Sequence, residues 1–209
     1  MDISVTYERD WGLGWIAAEP AFMQRASHAL AHEGRVWLVD PVDGEGLEDR
    51  LARLGEVRGV LQLLDRHSRD CATLARRHRV PLLQTPFDRV PGGPFEAVAV
   101  VGRRRWSETT LWWPGRRALV VAEALGTAPY FPARGESLGV HPVLRLTPPR
   151  ALAGYGPEHL LVGPVQRGPV PDEEMLRPVR GEGARGREPQ HRVHAQRPVS
   201  YTHLTLPTN

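Results

Sequence analysis

Asp65-Arg66-His67-Ser68-Arg69-Asp70-Cys71 places six polar or ionisable residues and one thiol in seven consecutive positions. The apolar run Val60, Leu61, Leu63 and Leu64 leads into it, and Ala72, Leu74, Ala75 and His78, at helical spacing, lead out. The run reads as a strand covered on both faces, so the reactive residues stand where the chain leaves a buried strand for a helix. In open α/β folds that is where ligands are held. Asp70 is the candidate catalytic carboxylate, and Arg66, His67 and Arg69 are the candidate substrate-binding groups. Farther along, Glu123 closes the buried run Leu119-Val120-Val121-Ala122, and His141 precedes Pro142. Asp70, Cys71, Glu123 and His141 are all acceptable ligands for one divalent metal such as zinc. The plainer reading of the same four is a salt-bridged loop, a small buried thiol and a histidine capping a turn. Cys71 as a nucleophile would need a neighbouring base and an electropositive pocket.

Several short elements must position these groups. Ile3 to Tyr7 and Leu13 to Ala17 read as β-strands. Ser27 to Ala31 and Arg35 to Val39 flank the turn His32-Glu33-Gly34 as a hairpin, and Asp40-Pro41 stops the pairing. Leu47, Leu51 and Leu54 mark one face of a helix that Gly55 ends. With the strand-helix unit of 57–80 and Val80 to Leu83, residues 35–83 alternate strand, helix, strand, helix, strand, which calls for right-handed crossovers in a sheet. Phe95 to Val101, Trp106 to Trp113 and Arg117 to Val121 then form a meander. In its middle strand Trp106, Glu108, Thr110 and Trp112 share one side. The tryptophans fit core packing better than a ligand pocket. His28 is a strand histidine, facing away from Ser27. Residues 126–150 read as loops, and His159 to Gly163 as the last strand.

Composition narrows the function. All 27 basic residues are arginine, yet they are offset by 24 acids to a net charge of +3. A phosphate-tracking groove needs clustered cations, so no nucleic-acid partner is expected, and Arg103-Arg104-Arg105 reads as a solvated hairpin turn. No apolar run approaches the ~20 residues that span a bilayer, and the start, Met1-Asp2-Ile3-Ser4, lacks a secretory pattern; no membrane partner is expected. One cysteine fits a reducing cytoplasm. From 164 to 209 prolines are frequent and no periodicity is sustained. Val199 to Thr208 also reads as the conceptual translation of a sequencing-library adapter. Residues 164–209 are therefore taken as a disordered or artefactual tail, and residues 1–163 as one domain.

The order hairpin, strand ending in Asp-Pro, helix, Gly-Val-Leu-Gln-Leu-Leu strand, polar loop, helix, Val-Pro strand and meander ending in an acid resembles the metallo-β-lactamase superfamily. The resemblance covers roughly residues 3–163 and implies an α/β fold, an αββα sandwich with a metal site at one edge between its sheets, here C-terminally incomplete. The family motif His-x-His-x-Asp-His falls on Arg66, Ser68, Asp70 and Cys71, of which only Asp70 is unchanged. The family's bridging aspartate falls on Glu123 and its closing Gly-His on Gly163-Pro164. Arginine stays protonated and cannot ligate, but Arg66 or Arg69 between Asp70 and Glu123 would neutralise two acids that otherwise repel. The resemblance thus implies a degenerate site without a metal cofactor and a non-catalytic, ligand-binding role with a small-molecule partner. The alternative is a hydrolase of an ester, thioester, lactone or phosphodiester, with one metal on Asp70, Cys71, Glu123 and His141.

Overall fold

The structure, a computed structural model, describes residues 1–17, 24–134 and 136–165. Its strands are β1 (Ile3–Arg9), β2 (Gly12–Ala17), β3 (Gln24–His32), β4 (Arg35–Val39), β5 (Glu56–Gln62), β6 (Leu82–Gln84), β7 (Glu96–Arg103), β8 (Trp106–Trp113), β9 (Ala118–Val121), β10 (Leu125–Gly126), β11 (Gly139–Val140), β12 (His159–Val162) and β13 (Pro164–Val165). Helix α1 (Leu47–Leu54) joins β4 to β5, and α2 (Cys71–His78) joins β5 to β6.

The first sheet has the order β1-β2-β3-β4-β5-β6, with β13 added to β3. Strands β1 to β4 are antiparallel neighbours, whereas β4, β5 and β6 run parallel. That switch follows from the sequence: a two-residue turn at Glu33-Gly34, both at positive φ, makes the hairpin, and helices long enough for crossovers make the parallel part. The second sheet has the order β12-β9-β8-β7, with β12 parallel to β9.

Both faces of the first sheet are buried, which explains its nearly continuous apolar strands. On one face Leu13, Trp15, Val36, Leu38 and Val60 pack under Leu47 and Leu51 of α1 and Cys71, Leu74 and Ala75 of α2. Cys71, not the exposed Ala72, opens the buried stripe of α2, because positions 71, 74, 75 and 78 follow the helical repeat. On the other face the two sheets meet through a chain of edge-to-face rings, Trp37 to Phe95, Phe95 to Trp113 and Trp113 to Trp11, with centroids 5.4, 5.2 and 6.1 Å apart. Such contacts place the tryptophans in the core. Trp112 packs on Tyr155, and Leu144 and Leu152, from short 3₁₀ turns, join the same buried cluster.

The chain crosses from the second sheet to the first at Gly163. Its N–H donates to Val121 and its carbonyl accepts from Ala26. A side chain there would begin 2.3 Å from the Ala122 carbonyl oxygen. The ladder continues through β13, and the remainder of the expected tail, 166–209, lies outside the described residues.

A sharper constraint sits at Gly55, which ends α1 at φ +144, where a Cβ would stand only 2.2 Å from the Gly34 carbonyl oxygen. Gly55→Ala combines a disfavoured backbone with a backbone clash, and it is expected to lower unfolding free energy by about 2–3 kcal/mol in urea titration.

Candidate binding site at the sheet edge

Strand β4 is followed by Asp40, a buried residue with φ +43, in the left-handed region that asparagine and aspartate tolerate better than most. Its backbone N–H still donates to Leu61 of β5, so the sheet holds it while the chain turns away. Ser27 Oγ donates to the Asp40 carbonyl and accepts from Val42 N, at 3.0 and 3.1 Å. Trp15 Nε1 donates to the Val42 carbonyl at 2.8 Å. A strand serine and a strand tryptophan thereby fix the turn.

The Asp40 carboxylate faces the polar loop after β5. Oδ1 accepts the Leu63 N–H at 2.8 Å, and Oδ2 lies 2.8 Å from His67 Nδ1. That contact sets the proton on Nδ1 and orients the ring. Arg69, also at positive φ, sends Nη1 to the carbonyls of Ala26 and Asp40 at 2.6 and 2.7 Å. Its Nε is buried without a hydrogen-bond partner. Burial lowers the Arg69 pKa, and the Asp40 charge opposes the shift. Arg69 is therefore turned inward and ties the loop to β3 and to the turn after β4.

Arg66 points the other way. Its Nη2 donates to Glu123 Oε2, its Nη1 lies 3.6 Å from Asp65 Oδ1, and its guanidinium stacks 4.7 Å from the centroid of Trp106. Cation–π stacking and a charge-assisted hydrogen bond hold it together. The side chain is nonetheless 43% exposed. His141 stands beside this pair: its ring meets Trp106 edge-on at 4.6 Å and Tyr130 at 5.6 Å. His141 Nδ1 accepts from Val143 N at 3.2 Å, so in the neutral ring the proton sits on Nε2. Burial lowers the His141 pKa, partly offset by Glu123.

Behind Glu123 lies Glu108, almost wholly buried on β8. Its Oε1 accepts the N–H groups of Glu123 and Ala124 at 2.9 and 3.0 Å, and its Oε2 accepts Trp106 Nε1 at 3.1 Å. Burial raises its pKa to about 7 against those hydrogen bonds. Glu108 thus fixes the chain leaving β9, and with it the place of Glu123.

The candidate residues divide. Arg66 and Glu123 meet, with His141 alongside, and His67 belongs to the neighbouring Asp40 network. Asp70 does not join Glu123 across a guanidinium; its Oδ2 accepts the Asp43 N–H at 2.8 Å, because Asp70 precedes α2 and faces the loop after β4. Cys71 is buried on α2, its thiol 3.5 Å from the His67 carbonyl, and desolvation pushes its pKa up to about 12. A thiol held so far toward its protonated form is neither a ready nucleophile nor a ready ligand. Among the described residues no group of three or more His, Cys, Asp or Glu is arranged to hold a metal ion. The expected set Asp70, Cys71, Glu123 and His141 is therefore not a ligand cluster, and this donor set does not fit the zinc that the family resemblance implies. Asp40 and Glu108 are the residues that sequence reasoning missed. Their signals were a carboxylate closing an apolar strand and an acid on the indole side of another.

Two sheets packed face to face, helices over the first, and a polar edge where β4, β5 and β9 end define the metallo-β-lactamase fold. Solved structures agree: the metallo-β-lactamase from Pontibacter korlensis matches with a TM-score of 0.59 at 12% identity, covering 84% of this chain and 95% of that one. TMB-1 gives 0.59 at 12% identity over 83% and 93%. DIM-1 metallo-β-lactamase gives 0.56 at 10% identity over 78% and 90%. At such identities the shared property is the fold. No family model matches the sequence, and no curated protein matches it.

The buried acids make the geometry testable. Asp40→Ala strands the Leu63 N–H and the His67 ring, and should lower stability by about 3 kcal/mol in urea titration, with Asp40→Asn losing less because it keeps an acceptor and tolerates the positive φ. A second test concerns pH. Burial takes His28 from 6.5 down to about 4, so the unfolded chain binds the extra proton between those values and His28 costs stability as pH falls. Glu108 rises from 4.5 to about 7, so here the folded chain binds the extra proton and stability is lost as pH rises through that window. The stability of wild type relative to Glu108→Gln should accordingly fall by roughly 3 kcal/mol between the two Glu108 values, read from urea titrations across pH.

Proposed function

We propose that this protein is a divergent metallo-β-lactamase-fold binding protein in which the Arg66 guanidinium stands at the sheet edge in place of a metal cation. The observation that carries the reading is the single group Arg66 bonded to Glu123 and stacked on Trp106. A guanidinium can counter a carboxylate and hold an anion, but it cannot lower the pKa of a bound water as a metal does. Electrostatic anchoring without a Lewis acid favours binding over hydrolysis.

The expected ligand is a small molecule with a carboxylate or phosphate. Arg66 is exposed enough to offer donors to it, and fork-shaped pairing suits both groups. Tyr130, Trp106 and His141 would form the walls, and the Nε2 proton of His141 supplies a further donor. Asp40, Arg69 and Glu108 hold the frame. No bond need break.

Two measurements on the full chain, purified without a histidine tag, test this. Elemental analysis should find well under one metal per chain, and no ester or phosphodiester hydrolysis should depend on Asp70. In a thermal-shift screen of small carboxylates and phosphates, Arg66→Gln should weaken any hit about tenfold or more. Stoichiometric zinc, manganese or iron that disappears in Asp70→Ala would overturn the metal-free reading, and Asp70-dependent hydrolysis beside it would favour the mononuclear hydrolase.

A further inference from the structure

The hairpin tip between β7 and β8 and the turn after β11 lie side by side. Arg103 Nη2 donates to Thr147 Oγ1, and Trp106, just after the tip, meets His141 edge-on. The run 103–105 is exposed, as is Arg145, whose Nη2 is anchored on the carbonyls of Tyr130 and Phe131. Flanking Arg145 in the chain, two aliphatic side chains face water, Leu146 at 93% exposure and Val143 at 58%. Neither 97–107 nor 141–157 contains a single aspartate or glutamate.

Each half of this arrangement alone is ordinary. Single exposed aliphatics are common, and a short basic turn is usually solvated. Their conjunction on two adjoining segments that carry no acid of their own is not, because it joins the two signals that hold a protein reversibly on a bilayer: positive charge toward anionic headgroups and apolar side chains to sink beneath them. We propose that this surface docks peripherally on an anionic phospholipid membrane, with the run 103–105 and Arg145 at the headgroups and Val143 and Leu146 below them. The charge is complementary, and no helix among the described residues is long and apolar enough to cross a membrane; peripheral docking needs none. A nucleic acid fits less well, since the patch offers aliphatics where single strands would seek stacking rings.

The docking surface adjoins His141 and Tyr130, so a docked molecule would bring the Arg66 site to the lipid boundary. The proposal itself rests on a different set of residues.

Co-sedimentation of the full chain with vesicles decides it, using pure phosphatidylcholine against mixtures one-third phosphatidylglycerol. Wild type should bind the anionic vesicles at least about tenfold more tightly, and lose that preference in high salt. Arg104→Glu with Arg105→Glu, and separately Leu146→Glu, should each weaken binding about tenfold. Arg58→Glu, an exposed charge on β5, should leave it unchanged. These are surface positions, and matching urea midpoints will certify the fold. Equal binding to both vesicle types, or undiminished binding by either test variant, overturns the proposal. Duplex DNA bound with the same arginine dependence but indifferent to Leu146→Glu would assign the patch to nucleic acid instead.

Discussion

One buried carboxylate organises this edge of the molecule. Asp40 closes β4 in a left-handed conformation, and its two oxygens take the Leu63 N–H and the His67 ring while its carbonyl takes Ser27 and Arg69. Burying a charge is tolerable only when it is paired and hydrogen-bonded. Here each bond also ties a separate element to the turn: β3 through Ser27, the exit of β5 through the adjoining Leu63, and the loop before α2 through His67 and Arg69. The backbone cost of two positive-φ residues, Asp40 and Arg69, is met by a hydrogen bond between them. Remove the carboxylate, and the loop carrying Arg66 loses its reference point.

The second sheet solves the matching problem with a different acid. Glu123 must stand at the end of β9, close to Arg66, although the chain there has left the ladder. Glu108 accepts the N–H groups of Glu123 and Ala124 from the adjacent strand, giving those donors partners that the sheet no longer supplies. Gly163 adds the last tie, bonding to Val121 on one side and Ala26 on the other. Arg69 also ends on the Ala26 carbonyl. Both sheets thus converge on one stretch of β3, and the position of Glu123 relative to Arg66 follows from hydrogen bonds that involve neither side chain.

Much of this was legible in the sequence, and the exceptions share a cause. The parallel order of β4, β5 and β6 showed in apolar runs separated by helical periods, and the β7–β9 meander showed in its turns. Those signals repeat over many residues. Asp40 has no repeat; before a proline it looks like a strand ending, and only the fold reveals that its side chain turns inward. Glu108 sat visibly among tryptophans, but alternation on β8 cannot say that both of its faces are covered, with Trp113 toward the first sheet and Trp112 against Tyr155. Asp70 and Cys71 stand at the start of a helix, as the sequence indicated, and their partners there are the Asp43 N–H and the His67 carbonyl. A helical start rotates each successive residue by about a third of a turn, so adjacent residues there diverge, one to the loop after β4 and one to the core.

Around the polar loop, Arg66 projects to β9, His67 to Asp40, Arg69 to β3 and Asp70 to the loop after β4. Four neighbouring elements are therefore held by four side chains of one short segment. A metal could pull several such ligands to one point. In this chain the side chains diverge instead, and each finds a protein partner of opposite charge or a backbone group. Glu123 keeps a cation opposite it because Arg66 supplies one, and Trp106 supports that cation from beneath. The Arg66 guanidinium offsets the Glu123 carboxylate from one side, and 43% of the Arg66 side chain still faces water.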